Sequence, residues 1–184
     1  MLSHGLLRRA SQGHDVTTPW WPILRHLFEV DDGSLPDIFI KDLSSEQIVA
    51  VYEWLRVESS GTGDSTLWRI DLQQDVLVRN VPHPARDFVQ GRVDSFRHCL
   101  AGLRVGDVEL PPLTVSVESG GLSMDYRMGP DWNEQTLRAL LELLRRVWAM
   151  APHARILRAD EGGHACPDLE FTEALRAYVA GGAN

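Results

Sequence analysis

Between Asn133 and Pro152, the residues Leu137, Leu140, Leu141, Leu144, Val147 and Trp148 recur at three- and four-residue spacings, with Arg138, Glu142, Arg145 and Arg146 between them. That spacing lays the apolar side chains in one stripe along an α-helix over 134–150, which Asn133 caps at its start and Pro152 follows at its end. A stripe of this length can leave water only against a second apolar layer, so the rest of the chain must supply that layer.

Much of the remainder reads as short strands. The run 37–43 is rich in β-branched and aromatic residues and predicts a strand. Ser44 with Gln47 three positions later forms a capping box that opens a helix over 45–57, where Ile48, Val51, Tyr52 and Leu55 share a face. Residues 67–72 and 75–81 predict a hairpin joined at Gln73 and Gln74, and 113–118 with 122–128 predict a second one turning through Ser119, Gly120 and Gly121. A strand over 154–159 and a helix over 168–180 that stops at Gly181 complete the chain, while 88–103 fits a strand or a helical turn equally well. A short helix is expected from Pro22 through Leu24, Leu27 and Phe28. Strands and helices do not alternate regularly, which predicts an α+β fold: a mainly antiparallel sheet with helices packed on one face. Residues 1–18 show no apolar period and are expected to be a flexible arm ahead of a single domain over 19–184.

The formal net charge of the 184-residue chain is -8. A surface of that sign repels phosphate backbones, which disfavours nucleic acid as a partner, and steers basic proteins toward itself. Cys99 and Cys166 stand far apart with no paired spacing, so neither a disulfide framework nor a zinc site is expected. Leu6 and Leu7 precede Arg8 and Arg9, the reverse of a signal peptide's order, and no apolar run is long enough for a bilayer. The expectation is a cytoplasmic protein with no membrane partner and no cofactor; oligomeric state is not legible.

No residue set forms a recognised catalytic or metal motif, and none is assigned. The stretch Gly61-Thr62-Gly63-Asp64 resembles a phosphate cradle but lacks a lysine and leads into a strand, so it reads as a flexible loop. His164, Cys166 and Asp168 fit no zinc spacing, and His98 and Cys99, if in a strand, point to opposite faces. His83, between two prolines, reads as an exposed turn residue. A small hydrolase or transferase built on scattered residues such as His98, His164 and Asp168 is the alternative to a binding protein.

Six tryptophans and many acidic turn residues point instead to a contact surface. Trp54, Trp68 and Trp148 are expected in the core or at its margin. Trp20 and Trp21 are adjacent, so one of them is expected to face outward, and Trp132 either staples the long helix or stands exposed. Asp31, Asp32, Asp64, Asp71, Asp75, Asp160 and Glu161 fall in turns or strand edges that can gather into an acidic patch. The partner-binding candidates are Trp20, Trp21, Asp31, Asp32, Asp64 and Trp132, with the interface expected near 20–32.

Residues 27–38 (Leu-Phe-Glu-Val-Asp-Asp-Gly-Ser-Leu-Pro-Asp-Ile), Tyr52-Glu53-Trp54-Leu55, and 126–132 (Tyr-Arg-Met-Gly-Pro-Asp-Trp) resemble the small acidic immunity proteins encoded beside bacterial polymorphic toxins. The resemblance spans about half the chain and carries no functional residue across. It implies a non-enzymatic protein that binds a cognate toxin domain, here a basic one, and blocks it.

Overall fold

The computed structural model describes residues 20–160 and 167–181. In chain order these form α1 (Trp20–Leu24) and a 3₁₀ turn (Arg25–Leu27), β1 (Asp37–Lys41), α2 (Ser45–Glu58), β2 (Gly61–Thr62), β3 (Thr66–Arg69) and β4 (Gln74–Leu77). A second 3₁₀ turn (Val78–Asn80) leads to α3 (Pro84–Val89), β5 (Phe96–Ala101), β6 (Arg104–Val105), β7 (Val108–Glu109), β8 (Leu113–Glu118) and β9 (Gly121–Tyr126). The chain then continues through α4 (Glu134–Met150), β10 (Arg155–Ala159) and α5 (Leu169–Gly181). The arm expected over 1–18 lies outside the described residues.

Six strands make one sheet in the order β10-β1-β9-β8-β5-β2, every pairing antiparallel. Register fixes what each face carries. One row runs Arg158, Ile38, Met124, Val115, His98 across five strands, and all five are at most 3% exposed beneath the helices. The neighbouring row on the opposite face runs Leu157, Phe39, Ser123, Ser116, Arg97. The apolar stripe of α4 meets the first face, with Leu137, Leu140, Leu141, Leu144 and Val147 wholly buried. The α+β class with an antiparallel sheet is therefore as the sequence predicts.

Local signals set the helix starts. The Ser44 hydroxyl accepts from the Gln47 N–H at 3.3 Å while the Gln47 side chain accepts from the Ser44 N–H at 2.9 Å. Asn133 and Thr136 repeat the arrangement at α4. Asp42, at φ 66°, turns the chain out of β1, a conformation that aspartate tolerates better than most residues, and its carboxylate pairs with Arg155 at 2.5 Å.

Gly121 answers a different need. A Cβ there would stand 2.4 Å from the Ile40 carbonyl oxygen, so β9 and β1 can close only over a bare Cα. Gly121→Ala is expected to destabilise the fold by about 1–3 kcal/mol, the usual cost of overpacking. Urea unfolding of the variant measures it, and an unchanged midpoint would show that the strands part without cost.

Three expectations need correction, and one left open is resolved. The glycine-rich stretch at 61–64 is no free loop: Gly61 and Thr62 form β2 against Leu100 and Ala101, and the Gly63 N–H donates to the Cys99 carbonyl at 3.2 Å. A Cβ on Gly61 would sit 3.4 Å from that of Ala101, an ordinary contact, so the pairing itself does not demand glycine. The ambiguous segment resolves into the end of α3, which Pro84 opens at its first turn, followed by β5. The first hairpin turns earlier than expected, with Gln73 at φ 53° and its side-chain amide donating to the Ile70 carbonyl at 2.7 Å. Trp68, on that hairpin, is 37% exposed, because β3 and β4 form a sheet of their own outside the six-stranded core.

Candidate functional site

The predicted contact residues do not form one surface. Trp132 is only 3% exposed, so its place among the exposed candidates is corrected: its ring lies 4.9 Å from Phe28 and 5.2 Å from Tyr126, and its indole N–H donates to the Arg127 carbonyl at 2.8 Å. The Trp132 N–H donates to the Gly129 carbonyl at 3.1 Å, closing a turn just ahead of α4. Trp20 and Trp21 are both half-buried on α1, and Trp20 meets Tyr178 edge-on at 6.4 Å.

Asp31 and Asp32 are committed locally. Asp31 accepts from Arg127 at 2.8 Å and from the Gly33 N–H at 3.0 Å, and the Arg127 hydrogen bond chiefly holds its carboxyl below the usual range. Asp32 accepts from the hydroxyl and N–H of Ser34, which lower its pKa likewise. Asp64 pairs with Arg79. Asp64 follows edge strand β2, whereas Asp31 and Asp32 precede β1, which β9, β8 and β5 separate from β2 in the sheet.

The wider acidic set fares the same way. Asp71 pairs with Arg69 at 2.6 Å and Asp160 with Arg158 at 3.1 Å, while Glu161 lies outside the described residues. Asp31, Asp64, Asp71 and Asp160 are thus each matched to an arginine and Asp32 to Ser34, while Asp75 on β4 has no ion-pair partner among the described residues.

The scattered catalytic set is not assembled either. His98 on β5 is wholly buried, its Nδ1 sharing a 2.7 Å hydrogen bond with the Tyr52 hydroxyl, and its Nε2 has no partner. Burial pushes its pKa down to about 4, so the ring is neutral near pH 7. Asp168 caps α5 by accepting from the Phe171 N–H at 2.9 Å and stands 3.4 Å from Arg158 on β10. His98 and Arg158 end the same row of the sheet, four spacings or about 19 Å apart. Cys99 points to the face opposite His98, as strand alternation requires. His83 precedes α3 with an exposed side chain, 3.8 Å from Glu53. His164 and Cys166 lie outside the described residues. Among the described residues no group of three or more His, Cys, Asp or Glu side chains is placed to hold a metal ion, and no helix is long and apolar enough to cross a membrane.

What the fold does build is a groove of about 730 Å³ between the β6–β7 hairpin, α4 and α5, within the range of ligand-binding concavities. Val105, Val108 and Ala139 line it with apolar surface, and the half-buried Tyr178 ring stands on one side. Asp107, Glu134, Arg138 and Glu142 supply its charge. These carboxylates are not equivalent. Glu142 accepts from Arg145 at 2.7 and 2.8 Å and from Arg146 at 3.0 Å, and its pKa is lowered, chiefly by Arg145. Glu134 makes only a 3.6 Å pair with Arg138, both side chains well exposed. Asp107 has no ion-pair partner among the described residues. Burial, and next the charge of Glu142, raise the pKa of Tyr178, which keeps its hydroxyl protonated.

Sequence reasoning missed this groove because its walls come from three distant segments. The available signal was on α4: Glu134, Arg138 and Glu142 follow one another at helical spacing on the side away from the leucine stripe.

No protein-family model and no curated protein matches the chain. Among solved structures it is similar, at 13% identity and a TM-score of 0.49, to one described as the toxic C-terminal tip of CdiA from Pseudomonas aeruginosa in complex with immune protein, over 72% of this chain and 89% of that one. It is also similar to a Pseudomonas aeruginosa T6SS protein, at 12% identity and a TM-score of 0.35, over 77% of this chain and 49% of that one, so it spans about half that protein's length. At such identity and TM-scores neither likeness bears on what this chain binds.

Proposed function

We propose that the chain is a non-enzymatic protein-binding domain, most specifically an immunity protein that neutralises a cognate bacterial toxin domain of basic character. The observation that carries this reading is the groove between β6–β7, α4 and α5. It offers apolar surface and an aromatic wall for desolvated contact, together with two carboxylates, Asp107 and Glu134, that the protein itself leaves free or weakly held. An interface of this kind combines a buried aromatic anchor with complementary charge. Trp20 meets the groove residue Tyr178 edge-on at 6.4 Å, which ties one of the sequence candidates to this wall. The net charge of -8 adds long-range attraction for a basic partner.

The test takes a toxin domain encoded beside this chain, a neighbour that the proposal requires. Cells expressing that domain are expected to grow only when this chain is co-expressed, and the two purified proteins should elute as one complex. A toxin that kills regardless of this chain and forms no complex with it would overturn the proposal. Within the complex, Asp107→Asn with Glu134→Gln is expected to lower the association rate about tenfold at low salt and to flatten its salt dependence, because steering acts on the encounter. Stopped-flow kinetics at several ionic strengths reads this.

A further inference from the structure

We propose that the groove seats an arginine side chain carried by the protein partner, its guanidinium held by the carboxylates of Asp107 and Glu134 and its flat side against Tyr178. This rests on the reading of the chain as a protein-binding domain and assigns the chemistry of its contact.

The case begins with what the groove already holds. Glu142 is fully engaged by two arginines of its own helix and so serves to fix the wall beside Tyr178. Glu134 and Arg138 form an exposed i,i+4 pair at 3.6 Å. Pairs of that kind stabilise little, so an incoming cation can take over the Glu134 carboxylate at small cost. Asp107 stands at the turn between β6 and β7, where the Arg104 guanidinium donates to its backbone carbonyl at 3.0 Å while its carboxylate has no ion-pair partner among the described residues. Asp107 and Glu134 stand against one lining cation, Arg138, and Glu142 is balanced by Arg145 and Arg146, so the seat is left negative and favours a cation.

The apolar lining decides which cation. Val105, Val108 and Ala139 remove water from one side of the seat. An ammonium group is compact and strongly hydrated and loses more on entering such a space than a guanidinium, which is planar, weakly hydrated and able to stack on an aromatic ring. The guanidinium also presents its donors as a fork that carboxylates accept in pairs. The volume of about 730 Å³ exceeds a single side chain, so the residues flanking the arginine enter with it. That is the geometry of a protein segment, not of a free amino acid.

The experiment titrates isotope-labelled protein with hexa-arginine, hexalysine and hexaglutamate peptides at low and at physiological salt, following backbone amide shifts. Hexa-arginine is expected to shift the amides of Asp107, Val108, Glu134, Gln135 and Tyr178, and to bind about fivefold more tightly than hexalysine, the margin that stacking and paired hydrogen bonds give. Asp107→Asn with Glu134→Gln should weaken hexa-arginine binding at least about fivefold, as loss of charge-assisted hydrogen bonds implies, with the urea midpoint unchanged. Equal binding of the lysine peptide, shifts scattered over the whole acidic surface, or indifference to the double substitution would each overturn the assignment. The two readings fail separately. If the double variant still neutralises the toxin at wild-type affinity, the arginine seat falls and the immunity reading stands. If the peptide binds the groove but no toxin is neutralised, the seat stands and the immunity reading falls.

Discussion

Phe28→Ala is expected to lower folding stability by roughly 3–5 kcal/mol, the range for removing a large aromatic ring from a close-packed core. Phe28 is wholly buried just after α1, stacked on Tyr126 at 5.0 Å and tilted against Trp132 at 4.9 Å and Phe171 at 6.3 Å. Those three partners come from β9, the entry to α4, and α5, so the ring joins four separate segments. The surrounding groups cannot collapse freely into the space. Tyr126 is fixed by its hydroxyl, which donates to the Leu27 carbonyl at 3.1 Å and accepts from Arg158 at 2.8 Å. Trp132 is fixed by its indole hydrogen bond. Urea unfolding followed by tryptophan fluorescence measures the loss. Trp21→Ala, at a half-buried margin, serves as the comparison and should cost clearly less. A Phe28→Ala loss below about 1.5 kcal/mol would mean that the aromatic cluster repacks, as compliant cores do.

Acidification is the second large effect. His98 is neutral in the folded protein because burial lowers its pKa from 6.5 to about 4, with the nearby Arg56 charge adding to the shift. The unfolded chain therefore binds a proton between those values that the folded chain refuses. Stability must fall as pH drops below about 6.5, continue to fall until about 4, and lose roughly 3 kcal/mol in total from this residue. Glu53 opposes the trend: burial raises its pKa, so its own contribution gains as pH falls. The difference between wild type and His98→Gln isolates the histidine. That difference should narrow with acidification, because the variant lacks the penalty. Parallel urea midpoints for the two proteins between pH 7 and pH 4 would defeat the assignment.

The elements visible in the sequence are those whose signals are local. The capping boxes at Ser44 and Asn133 and the apolar spacing of α2 and α4 sit within a few residues of each other, and the β8–β9 hairpin is fixed by its own turn. What stayed hidden depends on neighbours brought from elsewhere. Gly61 and Thr62 carry no strand signal, since β2 exists only because β5 offers an edge. Ser123 and Asp125 alternate with apolar residues as a solvent-facing row would, yet both are buried, Asp125 beneath the Arg97 guanidinium at 2.5 Å. Trp132 looks like an exposed aromatic until Phe28 and Tyr126 are placed around it. Among the predicted contact residues, Asp31 and Asp64 carry the right charge, but the arginines that neutralise them, Arg127 and Arg79, are distant in sequence or unremarkable in context. The groove was readable only as three charged positions on α4.

The position of β1 has a consequence for how the chain is made. β1 leaves the ribosome ahead of the other described strands, yet both of its neighbours, β9 and β10, come late in the described sequence. Until β9 is synthesised, β1 has neither edge paired, and until β10 follows, one edge stays open. Its Ile38-Phe39-Ile40 core is meanwhile an exposed apolar strand of the kind that other nascent chains can capture. Completion of the sheet around β1 is therefore tied to translation of β9 and β10, and a ribosome stalled before β9 holds a first strand with neither edge paired.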